Sequence, residues 1–327
     1  HFGGTVAFDL PPGSNVFDAG SEAGIKRGIA VSGTIADTIA WPDLTAAGVA
    51  FPYVVAGNLQ VAAGGSLTLP ADAVVKVEGG LSITVSGQMV FAPGITFTSI
   101  KDDRVDGIDS GGDGPTTGAA GDWVGITLYS PADTIDGVTI SYARTGLYLY
   151  ADNTGISPRI ADCRFVFNSL YGIRCYAKNS GTVLPVIENC TITSNTTGIY
   201  CSAADGSTVN PTVYGSYFVG NTASAIQNAA SSTLNATDCW WGSAGGPVHS
   251  SNPQGDGDAV SDSVNFSNWK DQAVPRVTVS LKAESGGAPP RVWATLKGVD
   301  FGLGNDLYPV VIVPKEGSDL AQQADFQ

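Results

Sequence analysis

Between Thr134 and Trp241 one short pattern recurs at nearly constant spacing, and that recurrence limits the fold more than any other feature of the chain. The copies read Ile135-Asp136-Gly137-Val138-Thr139-Ile140, Ile160-Ala161-Asp162-Cys163-Arg164-Phe165, Ile187-Glu188-Asn189-Cys190-Thr191-Ile192 and Val213-Tyr214-Gly215-Ser216-Tyr217-Phe218. They begin at 135, 160, 187 and 213, in steps of 25, 27 and 26 residues. A regular period of this size marks a stacked repeat architecture. A second ladder runs through Leu147, Ile173, Ile199 and Ile226, preceded by Gly146, Gly172, Gly198 and Ala225. Asn168, Asn195 and Asn221 occupy a third equivalent position between the two ladders.

Within each unit short pieces alternate with period two (Val138/Ile140, Ile173/Cys175, Ile199/Cys201), and Asn, Gly, Ser and Thr interrupt them. That pattern reads as short strands joined by turns. No segment carries a helical apolar stripe over three turns. Strands repeating without helices between them form coils, one turn per repeat, with like residues stacked about 4.8 Å apart. The fold class is therefore all-β, a right-handed parallel β-helix.

Three further stretches carry a family resemblance. The phrase Cys239-Trp240-Trp241-Gly242-Ser243-Ala244-Gly245-Gly246-Pro247, with Gly255–Asp262 and Val264–Trp269 after it, resembles the closing segment of bacterial cell-surface β-helix proteins of the pectin-lyase-like superfamily. Pro52–Val55 with Gly65–Pro70 and Val74–Lys76, and Ile95–Asp103 with Gly121–Ile126, are similar to the same proteins. The resemblance spans residues 41 to 270 and implies the fold and an extracellular or cell-surface location. It leaves function open, because the family mixes adhesins, structural proteins and glycan-active enzymes, and fold does not fix function.

Composition narrows the classes. With 327 residues, 43% hydrophobic, the chain buries a large core, and 42 glycines beside 14% charged residues suit a β scaffold of tight turns. The 16 Lys and Arg against 30 Asp and Glu give a net charge of −14, which argues against nucleic acid and anionic membrane surfaces as partners. No run of 18 or more apolar residues predicts a membrane-spanning helix. No basic segment followed by an apolar one opens the chain, so a secretion signal is expected to have been removed or to lie outside this sequence.

Residues 1–49 lack the repeat and are expected to form an N-terminal cap, or a strand passed to a neighbour, with strands at Thr5–Leu10 and Ile29–Ile35. Residues 50–272 form the β-helix, whose alternation is clearest from Tyr53 to Phe97. Residues 273–327 form a small β-strand module with runs at Arg276–Leu281, Arg291–Leu296 and Tyr308–Val313. Two unlike ends on a repeat rod suit head-to-tail self-association into a filament, since a heterologous contact that does not close propagates.

Residues 101–114 break the rhythm. Five aspartates, Asp102, Asp103, Asp106, Asp109 and Asp113, lie among four glycines there, which is the material a hard cation such as Ca²⁺ requires. Asp256, Asp258 and Asp262 form a second, sparser cluster. Cys163 and Cys190 share one ladder position and Cys175 and Cys201 another; each pair reads either as a disulfide between adjacent coils or as stacked core thiols. Cys239 stands apart, and two histidines, His1 and His249, do not suggest zinc.

For catalysis the material is thin. Arg164, Arg174, Asp162 and Glu188 occupy outward ladder positions where a polysaccharide lyase or glycoside hydrolase would place its acid, base or nucleophile. Any soluble β-helix is polar there too, and the Gly-His-Gly signature of polygalacturonases does not occur. Tyr142, Tyr148, Tyr150, Tyr171, Tyr176, Tyr200, Tyr214 and Tyr217 offer a stacking face for sugars, and Trp240 and Trp241 a plug for the last coil. The favoured reading is a secreted or cell-surface structural or adhesive protein whose partner is itself or an extracellular polysaccharide. The alternatives are an acidic-glycan lyase or hydrolase and a non-catalytic glycan-binding module.

Overall fold

Alternation between apolar and polar side chains dictates a wall with one face inside, and the chain coils so that successive walls stack. A computed structural model describes residues 27–43, 51–130 and 134–271, together with the backbone of Thr278–Ala283 and Val292–Lys297. Among the described residues there is no helix, and so none long and apolar enough to cross a membrane. The chain divides into two compact units, His1–Arg276 and Val277–Gln327.

The first unit is a parallel β-solenoid. Its strands line up as a 14-stranded sheet, a 6-stranded sheet and two 3-stranded sheets, every named pair parallel. Thr134–Asp136, Arg159–Ala161, Val186–Glu188 and Thr212–Tyr214 stack in register, which puts Ile135, Ile160, Ile187 and Val213 in one column. Leu147, Ile173, Ile199 and Ile226 form another, and Ile140, Phe165, Ile192 and Phe218 a third. All are buried to within 1% of full coverage. Each such side chain contributes roughly 1.5–3 kcal/mol by leaving water.

Two turn columns bend each coil. Gly137, Asp162, Asn189, Gly215 and Asp238 all have φ between 51° and 64°, the left-handed region that Gly, Asn and Asp tolerate. Tyr142, Phe167, Ser194 and Gly220 repeat that conformation at the next bend, where the Tyr142 and Phe167 rings stack 5.5 Å apart. Directly after this bend stands the asparagine ladder. Asn168 Nδ2 donates to Asn195 Oδ1 at 2.9 Å, Asn195 Nδ2 to Asn221 Oδ1 at 3.0 Å, and Asn221 Nδ2 to the Asp258 carboxylate at 2.8 Å. The ladder takes up the backbone groups that the bend exposes, which buried N–H groups require.

Residues 1–26 and 44–50, with the strand expected at Thr5–Leu10, lie outside the described residues. Ile29–Ile35 and Thr38–Ala40 pair in parallel with Tyr53–Val61 and Ser66–Thr68 of the same chain, so coiling starts ahead of residue 50. Val31 and Ile35 point inward and continue the core by one coil, a pattern too short to show as a repeat in sequence. At the other end Trp241 is fully buried and stacks on Phe218 at 4.9 Å, the plug its size suggests, whereas Trp240 is half-buried. In the second unit Thr278–Ala283 and Val292–Lys297 pair antiparallel; the run at Tyr308–Val313 lies outside the described residues.

Candidate functional site

The strands Trp123–Leu128, Ala143–Asp152, Tyr171–Lys178 and Thr197–Ala203 lie side by side in parallel. Leu147, Leu149, Ile173, Cys175, Ile199 and Cys201 point into the core, so the alternate residues face out. Tyr148, Arg174 and Tyr200 thereby fall in one outward column, and Tyr150 and Tyr176 in the next. Tyr171 flanks the first column and stacks on Tyr200 with ring centres 4.8 Å apart. Tyr129, beyond the end of its strand and 42% exposed, meets Tyr150 edge-on at 5.0 Å.

Arg174 occupies the middle of this tyrosine face. Its guanidinium carbon lies 4.6 Å from the Tyr148 ring centre, 5.7 Å from Tyr176 and 5.9 Å from Tyr171, distances at which the ring quadrupoles attract a cation. Its Nε is covered and has no hydrogen-bond partner. Burial pushes the Tyr148 hydroxyl up to about 12, with Arg174 opposing, so the phenol stays a neutral donor and acceptor. At the rim Lys178 pairs with Asp152 at 3.0 Å and lies 5.8 Å from the Tyr150 ring, and its pKa is raised by hydrogen bonds to Tyr150 and Asp152. Five tyrosines expected to form a stacking face are here. Tyr142 is at the bend, Tyr214 is on another sheet and Tyr217 is buried beside Lys270. Tyr129 joins the face although it lies outside the repeat that brought the others to notice.

The candidate catalytic residues do not converge. Asp162 holds a left-handed turn, Arg164 starts the strand after it, and Arg174 lies on the tyrosine face. Glu188 points outward as expected but is covered. Arg159, which aligns with Thr134 and Val186 at one column, reaches across the small Ala161 to Glu188 and stands 3.5 Å from Asp136. Arg159 escapes a motif reading because its neighbours in the column are Thr and Val.

Two of the five aspartates of the 101–114 loop face a side chain of the protein. Lys76, wholly buried, sets its Nζ 2.8 Å from Asp106 Oδ1 and 3.7 Å from Asp103 Oδ1. Asp102 accepts from Thr98 Oγ1 at 2.7 Å, Asp109 accepts the backbone N–H groups of Gly112, Asp113 and Gly114, and Asp113 is exposed. Burial works against the Asp109 charge, but those N–H donors outweigh it and hold the pKa low. An ammonium therefore stands beside two of the carboxylates expected to face a dissolved cation. Among the described residues no group of three or more His, Cys, Asp or Glu is placed to hold a metal ion. Asp256, Asp258 and Asp262 are likewise spent separately, on Ser243, on the asparagine ladder and on His249.

All five cysteines are free and buried. Cys175 and Cys201 are register partners, and Cys163, Cys190, Ser216 and Cys239 follow one another at the turn. Residues 124–241 match the family described as right-handed beta helix region, which covers the coils carrying the tyrosine face. Neither the curated proteins nor the solved structures provide a match.

Proposed function

We propose that this chain is a secreted or cell-surface β-helix protein that adheres to extracellular polysaccharide through its tyrosine face, without cleaving it. The observation that carries the reading is Arg174, ringed by Tyr148, Tyr171 and Tyr176 with an unpartnered Nε. Flat rings along a rigid wall offer sugar rings an apolar platform at little entropic cost, since the strands hold each side chain in place. Phenol hydroxyls supply neutral hydrogen bonds, and the half-buried guanidinium supplies a fixed positive charge that matches a carboxylate on the sugar. Binding is favoured over cleavage because Glu188 is engaged by Arg159 and Asp162 shapes a turn.

The test is isothermal titration with a panel of neutral and uronate-bearing polysaccharides, beside reducing-sugar release and ultraviolet absorbance to detect hydrolysis or elimination. Acidic chains should bind and remain intact. Arg174→Ala should weaken them by about 10- to 100-fold, the worth of a hydrogen bond to a charged group, and Tyr148→Ala by up to about tenfold. Binding unchanged in the double variant, or turnover lost with Arg174→Ala, would refute a non-catalytic sugar platform.

A further inference from the structure

Val75 and Val77 of the strand Val74–Val77 point into the core, so Lys76 points out, in register between Val54 and Thr98. It should be solvated there. Instead the 101–114 loop covers it completely, and Lys76 Nζ donates to the Ile108 carbonyl at 2.6 Å. Asp106 Oδ1 lies 2.8 Å from that nitrogen, and Asp106 Oδ2 is buried without a partner. That contact holds the amine against the carboxyl group whose carbon it would have to reach. Asp103 completes the set. Its Oδ2 accepts from the Thr116 N–H at 2.8 Å and from Thr116 Oγ1, while its Oδ1 has no hydrogen-bond partner and faces Nζ at 3.7 Å.

We propose that Lys76 and Asp106 condense to an intramolecular amide, with Asp103 carrying the proton. A proton first passes from the ammonium to Asp106, leaving a neutral amine and a neutral acid. Burial favours the neutral acid and raises the Asp106 pKa. Nζ then bonds to Asp106 Cγ. Asp103 takes a proton from the nitrogen and returns it to the departing oxygen, the Cγ–O bond breaks and one water leaves. Nothing is oxidised or reduced, and a buried ion pair, which is expensive to desolvate, becomes a neutral amide. The product is a staple fastening the acidic loop to the wall, insensitive to reductant in a chain whose cysteines are all free.

The intact mass of the folded full-length chain under reducing conditions tests this. It should lie one water below the mass of the sequence, and fragmentation should give a branched peptide joining Lys76 to Asp106. Lys76→Arg and Asp106→Ala should restore the full mass, and Asp103→Asn should restore it while circular dichroism stays that of the wild type. A wild-type mass equal to that of the sequence overturns the proposal, whether or not any variant folds. So does a deficit that persists in Lys76→Arg, which would place the lost water in a succinimide at Asp106-Gly107. A branched peptide still formed in full by Asp103→Asn overturns the role given to Asp103.

Discussion

Asn195→Ala should be far more damaging than removal of one small polar side chain suggests. The Asn195 side chain donates to the carbonyls of Phe165, Thr193 and the Asn221 side chain at 3.0, 3.1 and 3.0 Å. It accepts from the Asn168 backbone N–H at 3.0 Å and from Asn168 Nδ2 at 2.9 Å. It is 1% exposed, so water does not replace these partners without opening the bend. A buried donor left without an acceptor costs about 1–3 kcal/mol, and each of the four further lost bonds about 0.5–1.5 kcal/mol, so the sum is about 3–9 kcal/mol. Asn168→Ala should cost less, because one of its bonds, to the Ile140 carbonyl, is stretched to 3.5 Å. A stack of coils opens locally, so hydrogen exchange resolves the effect better than a single melting temperature. The Asn168 amide should exchange at least 100-fold faster in Asn195→Ala, since about 1.4 kcal/mol is a factor of ten. A penalty below about 1 kcal/mol, no larger than for the exposed Asn235→Ala, would show that the ladder does not hold the bend.

Three further outcomes follow from other parts of the molecule. Burial raises the Asp258 pKa against the opposing hydrogen bonds from Asn221 and Gly220, so the folded state takes up a proton there as pH falls through the folded pKa. Asp258→Asn should therefore compare best with wild type at neutral pH and lose ground as the solution is acidified, measured by urea midpoints; a gap that grows with pH in the opposite sense refutes the assignment. Burial and then the Cys163 thiol raise the Cys190 pKa, the Cys175 thiol and then burial raise that of Cys201, and burial pushes the Cys239 thiol up to about 12. Native protein should leave a thiol reagent uncoloured at pH 8 and release five equivalents on unfolding without reductant; prompt native reaction, or fewer than five, would count against stacked free thiols. Phe218→Ala removes the ring on which Trp241 rests and should cost about 3–5 kcal/mol, with faster exchange concentrated in the last coils.

The core was legible because it is written by periodicity. Ile135, Ile160, Ile187 and Val213 differ little in shape, and each stacks on the last in the register their spacing dictates. The turn column was in the sequence but disguised. Gly137, Asp162, Asn189, Gly215 and Asp238 differ as chemical groups, and only their shared tolerance of positive φ unites them. Seen as a carboxylate Asp162 suggests catalysis; seen as the second member of that column it is a turn residue. The tyrosine face was half visible, since alternation says which residues point outward, whereas the ring packing that places Arg174 among three tyrosines depends on register between coils.

Lys76 marks where periodicity stops informing. Its own strand, read alone, places it in water, and the acidic loop, read alone, calls for a dissolved cation. The two lie 25 or more residues apart, and neither belongs to the 134–241 repeat, so no column in the sequence aligns them. What joins them is a compensation that operates on any insertion folded over a sheet. Covering an outward lysine removes its water, and the covering segment must then bring oxygens of its own. Asp103, Asp106 and the Ile108 carbonyl are those oxygens. An aspartate-rich insertion in a repeat scaffold is thus as much a sign of a cation on the wall beneath it as of a metal from solution. The two are separable here, because Lys76→Met leaves the loop's carboxylates without their ammonium. If the loop is built for Lys76, that variant should lose several kcal/mol of stability, because Asp103 and Asp106 are left buried without the nitrogen that joins them to the wall as an ion pair or as an amide, and millimolar calcium should recover little of it. Full recovery by calcium would show that the aspartates form a metal site which the lysine merely fills.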